Sequence, residues 1–131
     1  MCGIFGSFNA PDAAEQTAAG LHHLQHRARD FAGIVATDGN NWYRKAGAGL
    51  VREVFSKTII DQLHGPHALG HVRYPTVTDE PWRDNTQPIL RDETALAHNG
   101  NLTNAEALRA ELAAEAPLAT SIDSECILRF F

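Results

Sequence analysis

MCGIFGSF, residues 1–8, opens the chain as a short run of small and apolar residues, with Ile4, Phe5 and Phe8 distributed to both sides of an extended strand. A strand of that kind belongs in a sheet covered on both faces, so covering layers should follow it in sequence. Pro11 ends the strand, and the capping-box spacing Asp12-Ala13-Ala14-Glu15 predicts a helix through Leu21 and Leu24 to about His26. Gly33 to Thr37 and Trp42 to Lys45 read as strands around Asp38-Gly39-Asn40-Asn41, whose Asp-Gly pair signals a hairpin. Ser56 to Leu63 predicts a helix and His67 to Val72 a strand. Arg73 to Pro88, rich in proline, threonine and acidic residues, predicts a long loop. Ile89 to Arg91 and Thr94 to Ala97 form a strand pair about Asp92-Glu93, and Thr103-Asn104-Ala105-Glu106 caps a helix continuing to about Glu115. Asp123 or Ser124 opens a last helix whose Cys126, Ile127, Phe130 and Phe131 make an apolar stripe with no visible partner. The expectation is one α+β domain.

Composition narrows the functional classes. With 131 residues, 44% of them hydrophobic and 21% charged, the chain can bury one core. A net charge of -5 supplies no basic field for a phosphate backbone, so nucleic acid is not an expected partner. The opening residues have neither the charge pattern of a signal peptide nor the length of a membrane helix, which sets a cytoplasmic protein without membrane contact as the expectation. Two cysteines, Cys2 and Cys126, make no disulfide framework and lack the CxxC spacing of a zinc or iron-sulfur site, so no metal is expected on this chain.

Three groups of residues carry chemistry. Cys2 follows the initiator methionine, and removing Met1 would put a free α-amine and a thiol on one residue. An α-amine with a pKa of about 7.7 to 8.0 accepts a proton near neutral pH, so this residue would hold both nucleophile and base. Taken alone, a cysteine there equally starts a buried strand. His98-Asn99-Gly100-Asn101-Leu102-Thr103-Asn104 lies where a strand ends and a capped helix begins. Its Asn99 amide and Gly100 N–H would make an oxyanion site worth about 3 to 4 kcal/mol per donor; an Asn-Gly turn is the plainer alternative. His98 by itself reads as a hydrogen-bonded structural histidine. In Gly70-His71-Val72-Arg73-Tyr74-Pro75-Thr76 a strand delivers Arg73 to the long loop, where it would grip a carboxylate or form a surface salt bridge. Asp123 reads as an N-cap that would also pair with an ammonium group.

The blocks MCGIFG, LQHRARDFAGI, GHVRYPT, NTQP, AHNGNLTN and SIDSE, in this order along the whole chain, resemble the glutaminase part of the amidophosphoribosyltransferases. These are class II glutamine amidotransferases within the N-terminal-nucleophile hydrolases. The HVRY and HNGNLTN wording is closer to that family than to glucosamine-phosphate synthases. The resemblance implies an αββα sandwich, incomplete at its C-terminal end, with residues 1–131 forming part of the glutaminase domain and the phosphoribosyltransferase domain absent. It implies Cys2 as nucleophile attacking glutamine and Asn99 with Gly100 as oxyanion donors. Arg73 would hold the substrate carboxylate and Asp123 its ammonium, with Tyr74 and Thr76 lining the pocket. Ammonia would go to a phosphoribosyltransferase domain or chain, making 5-phosphoribosylamine from phosphoribosyl pyrophosphate for purine biosynthesis. Magnesium is expected only on that other domain, and a homo-oligomer is left open.

The chain departs from the family's wording at Ala28 and Phe31, in a block that commonly has glycine after the arginine, so a positive φ at Ala28 would carry a steric penalty. Val77 and Thr78 stand where the family's lid segment usually has smaller residues. Two rival readings remain open at this point: a non-catalytic subunit that binds a partner through the last helix, and a class II amidotransferase with another acceptor.

Overall fold

The computed structural model describes residues 1–74 and 82–130. Along the chain these form β1 (Gly3–Phe8), α1 (Ala13–His23), β2 (Phe31–Thr37), β3 (Trp42–Ala48), α2 (Val51–Val54), α3 (Lys57–Ile60), β4 (His67–Arg73), α4 (Trp82–Asn85), β5 (Ile89–Arg91), β6 (Thr94–Leu96), α5 (Ala105–Glu115) and α6 (Ser124–Leu128). The larger sheet has the order β1-β4-β2-β3 with every pairing antiparallel, and β5 pairs with β6 in a second, two-stranded sheet.

Alternation along the strands decides where the core sits. Ala32, Ile34 and Ala36 on β2 share a face with Ala68 and Val72 on β4, and Ala14, Ala18 and Leu21 of α1 pack onto it. Leu21 and Ile34 are fully buried there, each contributing about 1.5 to 3 kcal/mol. The other face carries Gly33, His71 and Arg73, and residues 85–98 lie against it: Arg44 of β3 donates from Nε to the Pro88 carbonyl at 2.9 Å. Helix α6 packs on β5 and β6 and against α5. The layers therefore run helix, sheet, sheet, helix.

Several expectations change. Strand β1 lies at a sheet edge, and α1 covers one of its faces, so Ile4, Phe5 and Phe8 keep 38%, 37% and 73% of their surface exposed where burial on both sides was expected. Helix α1 starts after Asp12 without the predicted side-chain cap, because the Asp12 carboxylate accepts from Gln16 Nε2 at 2.7 Å instead. That helix stops at His23, and residues 24–27 continue as turns. Asn104 and Asp123 likewise precede α5 and α6 without capping through their side chains. The helix expected over residues 56–63 is the short α3, with α2 an unforeseen turn of helix before it; α4 lies inside the predicted loop. Ala28 is buried without a positive φ, so the feared penalty does not arise.

The hairpin forms as read. The Asp38 carboxylate accepts from Asn40 N at 2.9 Å and Asn41 N at 2.7 Å, which holds its pKa below the usual carboxylate range, and Gly39 takes φ +94°. The last helix is not the unpartnered stripe expected. Cys126 is fully buried, Leu128 packs with Ile89 and Ile122, and Phe130 alone of the quoted apolar residues within the described part is prominently exposed. Phe131 lies outside the described residues.

Candidate active site

The position of Cys2 follows from the absence of a side chain at the next residue. A Cβ at Gly3 would stand 3.0 Å from both Leu24 Cβ and Val72 Cγ2, so glycine lets the start of β1 lie close to the turn after α1 without pushing those side chains back. That turn carries Arg27, whose Nε donates to the Cys2 carbonyl at 2.8 Å. Asn99 Nδ2 donates to the same oxygen at 3.2 Å. Cys2 is a half-buried free thiol, whereas Cys126 on α6 is fully buried.

The chain leaving β6 forms the facing wall. Gln87 is buried and holds it: its Oε1 accepts from the His98 amide, and its Nε2 donates to Ser124 Oγ at 3.2 Å. His98 Nδ1 lies 3.2 Å from the same hydroxyl, so the ring is fixed in place. It lies over Gly100, where an added Cβ would be 2.4 Å from His98 Nε2. Asp123 Oδ2 accepts from the Leu102 amide at 2.7 Å and thereby joins the start of α6 to this loop. Arg109 of α5 donates to the carbonyls of Thr120 at 2.6 Å and Ile122 at 3.2 Å, bracing the segment that leads into Asp123.

Arg73 completes the enclosure from the end of β4. It is 8% exposed, and its Nη1 donates to the Asn85 carbonyl. It is therefore a buried guanidinium with one donor on backbone, where the plainer reading placed it at the surface. Tyr74 is 56% exposed at the rim. Two residues before Arg73, His71 is fully buried, and among the described residues neither ring nitrogen reaches a partner with good hydrogen-bond geometry, the His98 backbone being near enough only to pull on its pKa. Burial, with the Arg73 charge adding to it, pushes its pKa down to about 4 against a weak opposing pull from the His98 carbonyl. The ring is neutral at physiological pH.

One cleft of about 790 Å³ collects these groups: Cys2, Arg73, Tyr74, Asn99, Gly100 and Asp123 all line it, with Met1 beside Cys2. Six of the seven predicted site residues are thus brought together from four separate stretches of sequence. The seventh, Thr76, lies outside the described residues, as do Val77 and Thr78. Asn99 is the one whose arrangement differs from expectation, since one of its amide hydrogens already engages the Cys2 carbonyl. Gln87, Ser124, Arg109 and Arg27 escaped the residue-by-residue reading, although Gln87 stands in the NTQP block, Ser124 in SIDSE and Arg27 in LQHRARDFAGI.

A thiol, a side-chain amide, a buried guanidinium and a carboxylate share this cleft, and a family model described as "Glutamine amidotransferase domain" matches residues 75–131. Over nearly its whole length the chain is similar to amidophosphoribosyltransferases. It is 42% identical over 132 residues to the amidophosphoribosyltransferase of Bacillus subtilis, covering 96% of this chain and 28% of that protein. It is 50% identical over 118 residues to that of Lacticaseibacillus casei, covering 85% of this chain and 59% of that protein. The solved structure of glutamine phosphoribosylpyrophosphate amidotransferase from B. subtilis, complexed with ADP and GMP, superposes with a TM-score of 0.83 at 40% identity, over 98% of this chain and 28% of that one. A second, described as the allosteric regulatory enzyme of purine biosynthesis, gives 0.87 at 39% identity over 98% of this chain and 29% of that one. The chain thus spans under a third of the length of most of these relatives. Among the described residues no helix is long and apolar enough to cross a membrane.

Proposed function

We propose that this chain is the glutamine-hydrolysing part of an amidophosphoribosyltransferase. After Met1 is removed, the Cys2 amine takes the thiol proton and the thiolate attacks the side-chain carbonyl carbon of glutamine. Negative charge develops on the carbonyl oxygen, which accepts from the Gly100 N–H and from the Asn99 amide hydrogen not engaged by Cys2. Collapse breaks the C–N bond, the Cys2 ammonium protonates the departing nitrogen, and ammonia leaves a γ-glutamyl thioester. Water, deprotonated by the same amine, attacks the thioester and releases glutamate with the thiol restored. Arg73 holds the α-carboxylate of glutamine and Asp123 its α-ammonium, with Tyr74 at the rim.

The observation carrying this reading is the convergence of Cys2, Arg73, Asn99, Gly100 and Asp123 on one cleft. Ammonia then serves a phosphoribosyltransferase domain or chain that forms 5-phosphoribosylamine from phosphoribosyl pyrophosphate in cytoplasmic purine biosynthesis. Magnesium belongs to that partner's chemistry, since thiol and amine supply the nucleophile and base here. The test is labelling by a diazo-ketone analogue of glutamine, read by mass spectrometry, alongside ammonia release by the chain alone and mixed with a phosphoribosyltransferase partner. Cys2 should be modified and Cys126 spared, and Cys2→Ala should abolish ammonia release. Labelling confined to Cys126, or turnover unchanged by Cys2→Ala, would overturn the reading.

A further inference from the structure

The first residue of a processed chain has no preceding peptide to hold it, and chain ends fray unless they are tied down. Cys2 lies outside the β ladder, whose first pairing in β1 is Gly3 with Val72. Its carbonyl is therefore the main-chain handle by which the rest of the fold can orient it, and that oxygen receives two side-chain donors: Arg27 Nε at 2.8 Å and Asn99 Nδ2 at 3.2 Å. The first is charged and the shorter, hence the stronger.

Arg27 is itself fixed. Its amide donates to the Leu24 carbonyl at 2.9 Å and the Ala28 amide to the Gln25 carbonyl at 3.3 Å. Gln25 Oε1 accepts from Val51 N at 2.9 Å, so the turn is tied to α2, while Leu24 packs into the main core and abuts Gly3. Among the described residues the Arg27 guanidinium forms no ion pair with a carboxylate. Arg27, Asn99, Cys2 and Leu24 also line a cavity of about 210 Å³ that shares Cys2 and Asn99 with the large cleft.

We propose that Arg27 is a positioning residue for the nucleophile: it grips the Cys2 carbonyl from the α1 turn, so that thiol and amine face the cleft and Asn99 can turn a hydrogen toward the oxyanion without releasing the first residue. The guanidinium touches no reacting atom. Its loss changes how often the thiolate is correctly aimed, not how glutamine is held. This rests on Cys2 being the nucleophile.

The test compares wild type, Arg27→Gln and Arg27→Lys, using the diazo-ketone glutamine analogue as probe. The maximal rate of Cys2 labelling, the probe concentration giving half of it, and the thermal midpoint are read for each. Arg27→Gln should label about ten- to hundredfold more slowly at saturation with the half-saturating concentration unchanged, and Arg27→Lys should recover part of the rate. Labelling of Arg27→Gln at the wild-type rate overturns the inference while leaving the proposed function standing. Should Arg27→Gln not fold, Arg27→Lys decides: a reduced maximal rate at an unchanged half-saturating concentration supports positioning, and a wild-type rate, or both parameters falling with the thermal midpoint, overturns it. A wild-type chain that is not labelled at Cys2 overturns the proposed function, and this inference with it.

Discussion

Lowering the pH from about 7.5 to about 5 should destabilise the fold through His71, and His71→Leu should remove that part of the loss. The ring is fully buried beside Arg73, without a well-formed hydrogen bond among the described residues, and its pKa falls from 6.5 to about 4. A base whose folded pKa is depressed contributes no pH dependence above its unfolded value. As the pH drops through 6.5 the unfolded chain takes the proton and the folded protein does not, so stability falls until the folded ring also titrates near 4. At about 1.4 kcal/mol per pH unit the whole gap is worth about 3 kcal/mol, of which about 2 kcal/mol is already lost at pH 5. Leucine keeps a similar volume and has nothing to protonate. Urea unfolding followed by tryptophan fluorescence at the two pH values, for wild type and variant, isolates the contribution by difference, since every other titrating group is common to both. A wild type that loses no more stability than His71→Leu would refute the argument, because the ring would then have a partner or solvent access that the buried geometry denies it.

Gly100→Ala should lower the maximal rate of glutamine hydrolysis by about tenfold or more, because the new methyl meets His98 Nε2 at 2.4 Å and the ring cannot withdraw without leaving Ser124. Steady-state ammonia release checks it, with an unchanged rate counting against a fixed His98. Glu125→Gln should destabilise by about 1 to 3 kcal/mol, since the buried carboxylate accepts from Ala119 N, Thr120 N and Thr120 Oγ1 and an amide in its place turns a donor toward them. Burial raises the Glu125 pKa, but those bonds and Arg129 outweigh it and leave the value lowered. Its stabilisation is therefore present above the unfolded carboxylate range and lost as the pH falls through the folded value, and acid unfolding of Glu125→Gln should show a shallower slope below about pH 4.5 than wild type.

What could be read in advance was what is decided locally. Asp38-Gly39-Asn40-Asn41 makes its turn with bonds spanning two and three residues, and the prediction from the dipeptide held. The candidate site residues each sit in a short ordered block, and six of the seven line one cleft. Contacts between distant segments were not legible. Strand β1 was read as covered on both faces, but whether a strand is central or at an edge depends on which partners arrive, and only β4 does. Helix caps were overestimated because Asp12 had a competing partner in Gln16 and Asp123 one in Leu102. The Cys2 carbonyl finds its donors 25 and 97 positions away, at residues whose types favour a surface ion pair and a turn. Gly3 is the residue where the two levels meet: unremarkable in a pattern of strand residues, it stands where an added Cβ would be 3.0 Å from Leu24 and Val72, beside the turn that carries Arg27 to the Cys2 carbonyl.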